Sequence, residues 1–536
     1  MKNAALACAG ALLLATTAAR ATPEPWSDSD PPAPTSRITV GESGTGLRVA
    51  AEGRVNALHV TPISTANHDR HLSIIEHRLR LDGAIDWQER VALATSLDVL
   101  DGVAWGDNGG GAGGLATTTS GANLLTRDAN ATRACLVARD GLDPTTPDAY
   151  ALVPCDVAPV FVRRLYGEAR LPIGTLRVGR QPYDDGTGVL VADGDGRRNR
   201  FGFARRGDNV DRVLFATKPL EAFSAPDDRD TAADRGTFLY LAYDRVANDA
   251  HEWVTALRFL APSLRVLRDV DARLFHAYRW QSSTDTELHA MGARLAYRFG
   301  HVSAGFDGAL VAGTTRALPT GTTAESRDVR MVGARAALAW DVFPWLTPYV
   351  ELDYASGDSA PDPRAPVTRF AFATDANVGL LLFEHVLAYQ SARAAAAGAA
   401  IVRAAGGDAA AVRSTSQVAT GGAFTNAIAL FPQIDLRPTD DLLVRVGVLF
   451  AQAPSAVTDP IRSLDRRAKG LSEVNLAGGA PARGLGTELD ARVQWRLEPF
   501  AFDLEGALLF PGDGLADADG EVPRAAMVQA RTTIAF

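Results

Sequence analysis

The most constraining feature of this sequence is a two-residue alternation of apolar and polar side chains that recurs along most of the chain. Near the C-terminus, Leu489, Ala491, Val493, Trp495 and Leu497 alternate with charged or amide side chains. Successive side chains of a β-strand point to opposite faces, so this period predicts strands that have one apolar and one polar face.

A soluble β-sandwich would show the same period, and three further features separate it from a membrane barrel. The alternating segments run for about 10 to 16 residues, which is longer than ordinary strands and long enough to cross a bilayer at a tilt. Their polar face is charged, as expected of a wet lumen, and short connections alternate with long ones. The mean hydropathy of −0.03 therefore excludes only a helical membrane protein.

We predict an all-β fold, a transmembrane antiparallel β-barrel of about 18 strands (range 16 to 20), over residues 44–536. Two connections depart from the short and long alternation: 219–235 is long and 246–250 is short. An even strand number returns the C-terminus to the side on which the chain began. The predicted strands lie near 45–60, 70–86, 91–105, 160–171, 175–182, 209–218, 236–246, 251–261, 264–280, 286–299, 302–313, 327–340, 346–356, 422–436, 442–453, 485–498, 500–511 and 524–536.

The N-terminus predicts export. A basic start at Lys2, an apolar run and a small-residue cleavage pattern at residues 19–21 indicate a signal peptide over 1–21. Residues 22–43 form a Pro- and Ser-rich periplasmic leader. Cleavage removes Lys2 and Arg20 and no acids, so the formal net charge changes from −9 to −9 − 2 = −11. This charge disfavours nucleic-acid binding, and the prediction is a protein of the bacterial outer membrane.

The cysteines and histidines suggest no chemistry of their own. Cys135 and Cys155 remain after cleavage, and in an exported chain the expected outcome is a disulfide between them. The alternative, a metal-binding or catalytic thiol, lacks a His or Cys partner at ligand spacing. No His-Glu-x-x-His, Cys-x-x-Cys or phosphate-binding glycine loop occurs. We expect neither a cofactor, nor a metal, nor an enzyme.

The last strand carries an insertion signal. Val528, Ala530, Thr532, Ile534 and the terminal Phe536 share one face of the predicted strand. A terminal aromatic residue on an amphipathic final strand is the pattern that outer-membrane assembly machinery recognises. The expected partners are therefore the barrel-assembly machinery and the lipid and lipopolysaccharide of the outer membrane, besides the solute.

Four short motifs resemble alginate-export-type outer-membrane porins. The strand 176–181 contains Gly-Arg-Gln, and 350–358 runs into a Ser-Gly-Asp loop. Residues 485–490 and 509–513 are similar to the closing strands of that group. The resemblance implies an 18-stranded porin whose arginine-rich conduit passes an acidic polysaccharide.

The predicted pore-lining residues are arginines and acids on the polar faces of the strands. Two interpretations stay open: the charges pair across strands in structural rungs, or unpaired arginines form a ladder that attracts anions. The residues are Arg48, Arg78, Arg80, Arg164, Arg170, Arg177, Arg273, Arg279, Arg335, Glu351, Asp353, Arg445, Glu488, Asp490 and Arg492.

The long connection 356–421 is the other functional candidate, because long structureless loops inside compact folds usually have a function. It either folds into the lumen as a constriction or caps the outer mouth. The predicted function is a porin that passes small hydrophilic or anionic solutes, acidic saccharides among them, by passive diffusion. The alternative is a surface scaffold or adhesin that has a filled lumen and acts through its long external loops.

Overall fold

The fold is described from a computed structural model. It describes residues 36–40, 45–66, 71–88, 90–106, 134–138, 150–154, 160–183, 188–194, 199–204, 207–230, 232, 234–247, 249–264, 266–317, 326–358, 365–395 and 419–536. The predicted signal peptide over 1–21 lies outside these residues. So does the predicted disulfide, since Cys155 is not described and Cys135 is described only in its backbone.

Eighteen antiparallel strands, β2–β4 and β7–β21, pair in chain order, and β21 pairs with β2 to close a barrel. The predicted fold class is therefore confirmed. The strands are β1 Ser36–Val40, β2 Thr45–Thr61, β3 Leu72–Trp87, β4 Val91–Gly106, β5 Ala134–Ala138, β6 Tyr150–Pro154, β7 Val160–Leu171, β8 Gly174–Pro182, β9 Asn209–Thr217, β10 Gly236–Ala247, β11 Ala250–Leu264, β12 Leu267–Gln281, β13 Thr286–Phe299, β14 Val302–Thr315, β15 Arg327–Trp340, β16 Leu346–Ala355, β17 Ala427–Thr439, β18 Leu442–Gln452, β19 Gly484–Leu497, β20 Phe500–Pro511 and β21 Ala525–Ala535.

Among the residues that the structure describes, helices are few and lie in the connections between strands. They comprise α1 (Pro219–Ala222), α2 (Pro460–Ala468) and a π-helical turn (Leu382–Leu387), beside three 3₁₀ turns at Pro226–Asp228, Ser282–Thr284 and Asp513–Leu515. The π-helical turn continues as an α-helix over residues 388–395. None of the described helices has the length and apolar character needed to cross a bilayer.

The seam of the barrel lies at β2. Strand β21 covers this strand from Glu52 to Thr61, and the terminal Phe536 pairs its backbone N–H and carbonyl with those of Ala51. Beyond that point β1, which falls within the predicted leader, takes over the same edge of β2. The β5–β6 hairpin forms a separate two-stranded sheet in the connection between β4 and β7.

Alternation sends apolar side chains outward and charged ones inward. On β19, Leu489, Val493 and Trp495 are exposed, whereas the alternating residues Glu488 and Arg492 are buried inside the barrel. Exposed aromatic residues stand at the end that carries the short turns, the periplasmic end of such barrels, namely Trp87, Phe299, Trp340, Phe343, Trp345, Trp495, Phe500 and Phe536. An outward apolar band above an aromatic girdle is the architecture of outer-membrane barrels. The predicted outer-membrane location is thus confirmed.

The connection between β16 and β17 folds into the barrel. Its residues 365–395 and 419–426, together called the plug, place buried apolar side chains against inward-facing side chains of the strands. Leu449 of β18 and Leu509 of β20 are fully buried in this contact. The plug contributes Phe370, Phe372, Leu380, Leu381, Leu382, Phe383, Val386 and Phe424. Of the two positions predicted for the 356–421 connection, these residues therefore occupy the one inside the lumen.

Candidate functional site

The predicted site residues all lie on the inward faces of their strands, and most of them belong to ion pairs. The arginine pairs are Arg48 with Asp86, Arg78 with Glu52, Arg80 with Asp98, Arg170 and Arg177 with Glu168, Arg279 with Glu252, Arg335 with Glu351 and Asp353, Arg445 with Asp435, and Arg492 with Asp503 and Glu505.

A second connection also enters the lumen. Residues 199–204, here the crossing segment, follow β8 and lie against the inward faces of β16–β21 and β2. The Arg200 side chain donates to Gln433 Oε1 and Asp435 Oδ1, each at 2.7 Å, and stacks on the ring of Tyr349 at 3.7 Å. The backbone carbonyl of Arg200 accepts hydrogen bonds from the guanidinium groups of Arg445 and Arg492. The crossing segment is therefore held by both its backbone and its side chain.

Glu488 of β19 holds the start of the π-helical turn. Its carboxylate accepts three backbone N–H groups, from Leu380 at 2.7 Å, Leu381 at 2.8 Å and Leu382 at 2.6 Å. The first N–H groups of a helix have no partner within the helix. A carboxylate at this position satisfies them and interacts favourably with the positive end of the helix dipole.

Asp490, two residues further along β19, has a different environment. Its carboxyl group is buried beside those of Glu488 and Glu505, and neither oxygen accepts a hydrogen bond from an N–H donor of the described residues. Its cross-strand neighbours are Gly447 on β18 and Ala507 on β20, which offer no side-chain donor. Glu488 and Asp490 were predicted together as pore-lining residues, yet only Glu488 anchors the plug.

The inward faces of β9–β13, here the arginine wall, hold ion pairs of a distinct kind. The side chain of Arg279 is 32% exposed while its partner Glu252 is 3% exposed, and Arg258 is 24% exposed while Asp271 is fully buried. Arg212 and Asp244 show the same order, 11% against 0%. The guanidinium group therefore faces the lumen, and the carboxylate lies against the strands.

Elsewhere in the lumen the order of exposure within the ion pairs is mixed. Arg445 and Asp435, which contact the crossing segment, are both essentially unexposed. The order is reversed at Arg78 and Glu52, where the acid is the more exposed partner. At Arg48 with Asp86 and at Arg437 with Asp435 the arginine is again the more exposed partner, 22% against 2% and 38% against 2%. The arginine wall is distinguished by holding three such pairs on adjacent strands.

Three arginines stand side by side on the arginine wall. Arg273 of β12 lies in register with Arg258 of β11 and with Arg294 of β13. Asp271 contacts both Arg258, at 2.7 Å, and Arg294, at 3.6 Å. Like charges directly opposite each other on neighbouring strands are destabilising, so this row is costly for the fold and suited to a negatively charged solute.

Sequence reasoning missed several lumen residues. Arg258 and Arg294 lie at inward positions that the alternation alone would have identified. Arg163 was missed because β4 and β7 pair with a register shift between Ser96 and Leu97, which turns both Arg163 and Arg164 inward. Arg163 donates to the carbonyl of Asp193, whereas the buried Nε of Arg164 has no partner among the described residues.

No metal centre is present among the residues that the structure describes, since no three His, Cys, Asp or Glu side chains are placed to share an ion.

Comparisons with known proteins are informative only at the level of solved structures. No family model and no curated protein matches the sequence. OccAB1 of Acinetobacter baumannii shares 8% identity at a TM-score of 0.46, with 91% of this chain and 96% of that chain covered. OccK2 (OpdF) of Pseudomonas aeruginosa shares 9% at 0.45, with 94% and 99% covered.

OpdK of Pseudomonas aeruginosa, crystallised with vanillate, shares 11% identity at a TM-score of 0.44, with 91% of this chain and 98% of that chain covered. These neighbours are outer-membrane porins of the Occ/OprD group. They do not confirm the alginate-export resemblance drawn from the motifs. Because the TM-scores of these three structures are below 0.5, the fold assignment rests on the strand pairing described above.

Proposed function

We propose that this protein is a passive outer-membrane channel, not an enzyme, and that small anionic solutes pass along the arginine wall. The observation that carries the proposal is the exposure within its ion pairs, where the arginine is the more accessible partner. A solute that moves along this wall meets guanidinium groups, which bind carboxylate and phosphate in bidentate fashion. Acidic saccharides belong to this class of solute.

The crossing segment and the plug narrow the space available to the solute. The plug packs on inward side chains from β13 through β21 to β2 and β3, and the crossing segment contacts β16–β21 and β2. Arg258, Arg273 and Phe275 on β11 and β12 of the arginine wall stay partly exposed. The proposed path is therefore off-centre, between the inserted segments and β9–β12. Rings and rows of charge set ion selectivity in pores, so the channel prefers anions although its charges are largely paired.

The direct test is conductance of the purified protein in planar bilayers, with the reversal potential measured in a KCl gradient. We expect an anion-selective channel whose selectivity falls in the double variant Arg258→Ala, Arg279→Ala. Arg330→Ala is the matched control, because this arginine is 70% exposed on the outward face of β15. A cation-selective wild-type channel would contradict the proposal.

One observation favours the second candidate, a scaffold or adhesin that acts through its external loops. The plug forms a continuous apolar cluster with the strands in the external half of the barrel. If this core stays closed at all times, the protein has no passage for solutes. A complete lack of conductance at every voltage, from protein shown to be folded, would support this alternative.

A further inference from the structure

Seven aromatic and histidine side chains form one patch on the outer surface of the barrel. They lie on the outward faces of four consecutive strands, near the external ends of those strands. We call this set the aromatic–histidine patch. It consists of Tyr243, His251, Trp253, His276, Tyr278, Trp280 and His289.

The members of the patch contact one another continuously. The rings of Tyr243 and Trp253 lie 4.9 Å apart, and those of His251 and Trp280 are stacked at 5.5 Å. The Tyr243 hydroxyl is 3.0 Å from Nδ1 of His251. Flat aromatic faces and polar ring atoms are therefore combined on one surface.

The second half of the patch contains a pair of imidazoles. Nε2 of His276 lies 3.1 Å from Nδ1 of His289, and the two rings are stacked at 5.3 Å. The ring of Tyr278 lies 4.9 Å from that of His289. Each imidazole thus keeps a second nitrogen outside this hydrogen bond, and a ring N–H can donate to an anionic oxygen.

The depth of the patch is set by the strand geometry. His289 and Phe299, which belongs to the periplasmic girdle, are both on the outward face of β13 and are ten residues apart. Ten residues span about 33 Å along a strand, and a tilt of about 40° reduces this to about 25 Å, the height of the apolar band in such barrels. The patch therefore lies where the hydrocarbon ends and the headgroups of the outer leaflet begin.

The girdle at the opposite end has a different composition. Its ring contacts, among the described residues, join only phenyl and indole groups, such as Phe343 with Trp345 and Trp495 with Phe502. Aromatic girdles at both interfaces are general in membrane proteins. At the periplasmic end His301 is exposed in the turn after β13, but among the described residues imidazoles join ring contacts only on the external side. A ligand that only the external side meets would account for this asymmetry.

We propose that the aromatic–histidine patch binds the phosphorylated glucosamine headgroup of lipid A in the outer leaflet. The Trp and Tyr rings offer flat surfaces for the sugar, and the imidazole N–H groups donate to phosphate oxygens. Below the patch, Leu257, Leu274 and Leu295 are exposed on the same faces and provide apolar contacts for the acyl chains. One surface thus matches both parts of the lipid. The proposal does not depend on the channel function.

The test uses native mass spectrometry of the full-length protein in detergent, titrated with diphosphorylated lipid A. We expect the wild type to retain the lipid, and the triple variant His251→Ala, His276→Ala, His289→Ala to bind it at least tenfold more weakly. Trp340→Ala, Trp345→Ala is the matched control from the opposite girdle and should bind as the wild type does. A second variant, Trp253→Ala with Trp280→Ala, tests the sugar-facing rings separately.

Two further titrations define the chemistry. Dephosphorylated lipid A should bind weakly to the wild type, and inorganic phosphate should not displace diphosphorylated lipid A at millimolar concentration, because it lacks the sugar and acyl contacts. Equal binding of both lipids, or equal binding by the wild type and the triple variant, overturns the proposal.

A change in oligomeric state without a change in lipid binding would identify the patch as a protein interface and also overturn the proposal. Heat-modifiable migration verifies that each variant is folded, and unchanged conductance separates this result from the channel test.

Discussion

The ring of Phe370 in the plug lies directly over Gly333 of β15, where an added Cβ would overlap the ring. The strand contributes bare backbone at this point, and the plug contributes an aromatic face. Phe370 is almost fully buried as a result. The glycine is therefore a packing site for the plug within the wall of the barrel.

The first prediction concerns this contact. Gly333→Ala should displace Phe370 and destabilise the plug by about 1–3 kcal/mol, the usual cost of overfilling a packed core. Hydrogen exchange of the plug amides, followed by mass spectrometry, measures the effect. Phe370→Leu should cost less in the Gly333→Ala background than in the wild type, because the two residues are in contact. Strictly additive effects would show that the overlap is relieved elsewhere.

A second prediction concerns the anchor of the π-helical turn. Glu488→Gln removes the charge that three N–H groups share, and hydrogen bonds to a charged group contribute about 1.5–3 kcal/mol each. The amides of Leu380–Leu382 should exchange faster, and channel openings should become more frequent. Asp490→Asn is the matched control, since the Asp490 oxygens accept no hydrogen bond from an N–H donor of the described residues. If the amides of residues 380–382 exchange equally fast in the two variants, Glu488 does not anchor the plug.

Asp459 predicts a pH dependence in the connection between β18 and β19. It caps α2 by accepting the N–H of Arg462 at 3.1 Å, and burial raises the pKa of its carboxyl group to about 6 despite that hydrogen bond and the nearby Arg393. A raised pKa means that the folded state favours the protonated form. The stabilisation is complete below the unfolded pKa of about 4 and is lost as the pH rises through about 6, a change of about 3 kcal/mol.

Exchange protection of α2, corrected for the intrinsic pH dependence of exchange, should therefore be greater at pH 4.5 than at pH 7. Asp459→Asn keeps a good capping residue and should give protection that does not change over this range. Persistence of the pH dependence in the asparagine variant would assign it to another group.

The fourth prediction concerns the C-terminus. Deletion of Phe536 removes the two backbone hydrogen bonds to Ala51 at the seam and an aromatic side chain that is exposed to the outside. Assembly into the outer membrane should become slower, as measured by the appearance of the heat-modifiable folded form in pulse–chase labelling. Phe536→Tyr should assemble at the normal rate. If the deletion variant assembles equally fast, the predicted insertion signal is wrong.

The strands could be predicted from the sequence because a period of two encodes which face each residue occupies. The alternation of faces breaks down at the register shift between Ser96 and Leu97, because one extra residue in β7 turns Arg163 and Arg164 to the same side. The pairing of inward arginines with acids on neighbouring strands also follows from alternation, once the strand order is known.

The plug could not be predicted in the same way. The apolar run Leu380–Phe383 is visible, but its partners lie on strands that are far away in the sequence, such as Leu449 and Leu509. One local signal exists: β18 is apolar on both faces from Val448 to Phe450, which is inconsistent with a wet lumen at that height. The crossing segment gives no such signal, because Arg200 follows no periodic pattern.

The apolar core that the plug forms inside the barrel has a thermal consequence. Displacement of the plug transfers buried apolar surface into water, and exposure of such surface raises the heat capacity. The free energy of this displacement is then a curved function of temperature, and apolar stabilisation weakens on cooling as well as on strong heating. The fraction of molecules with a displaced plug should therefore pass through a minimum as the temperature rises. The barrel should be more permeable in chilled cells and in overheated cells than at the temperature of that minimum.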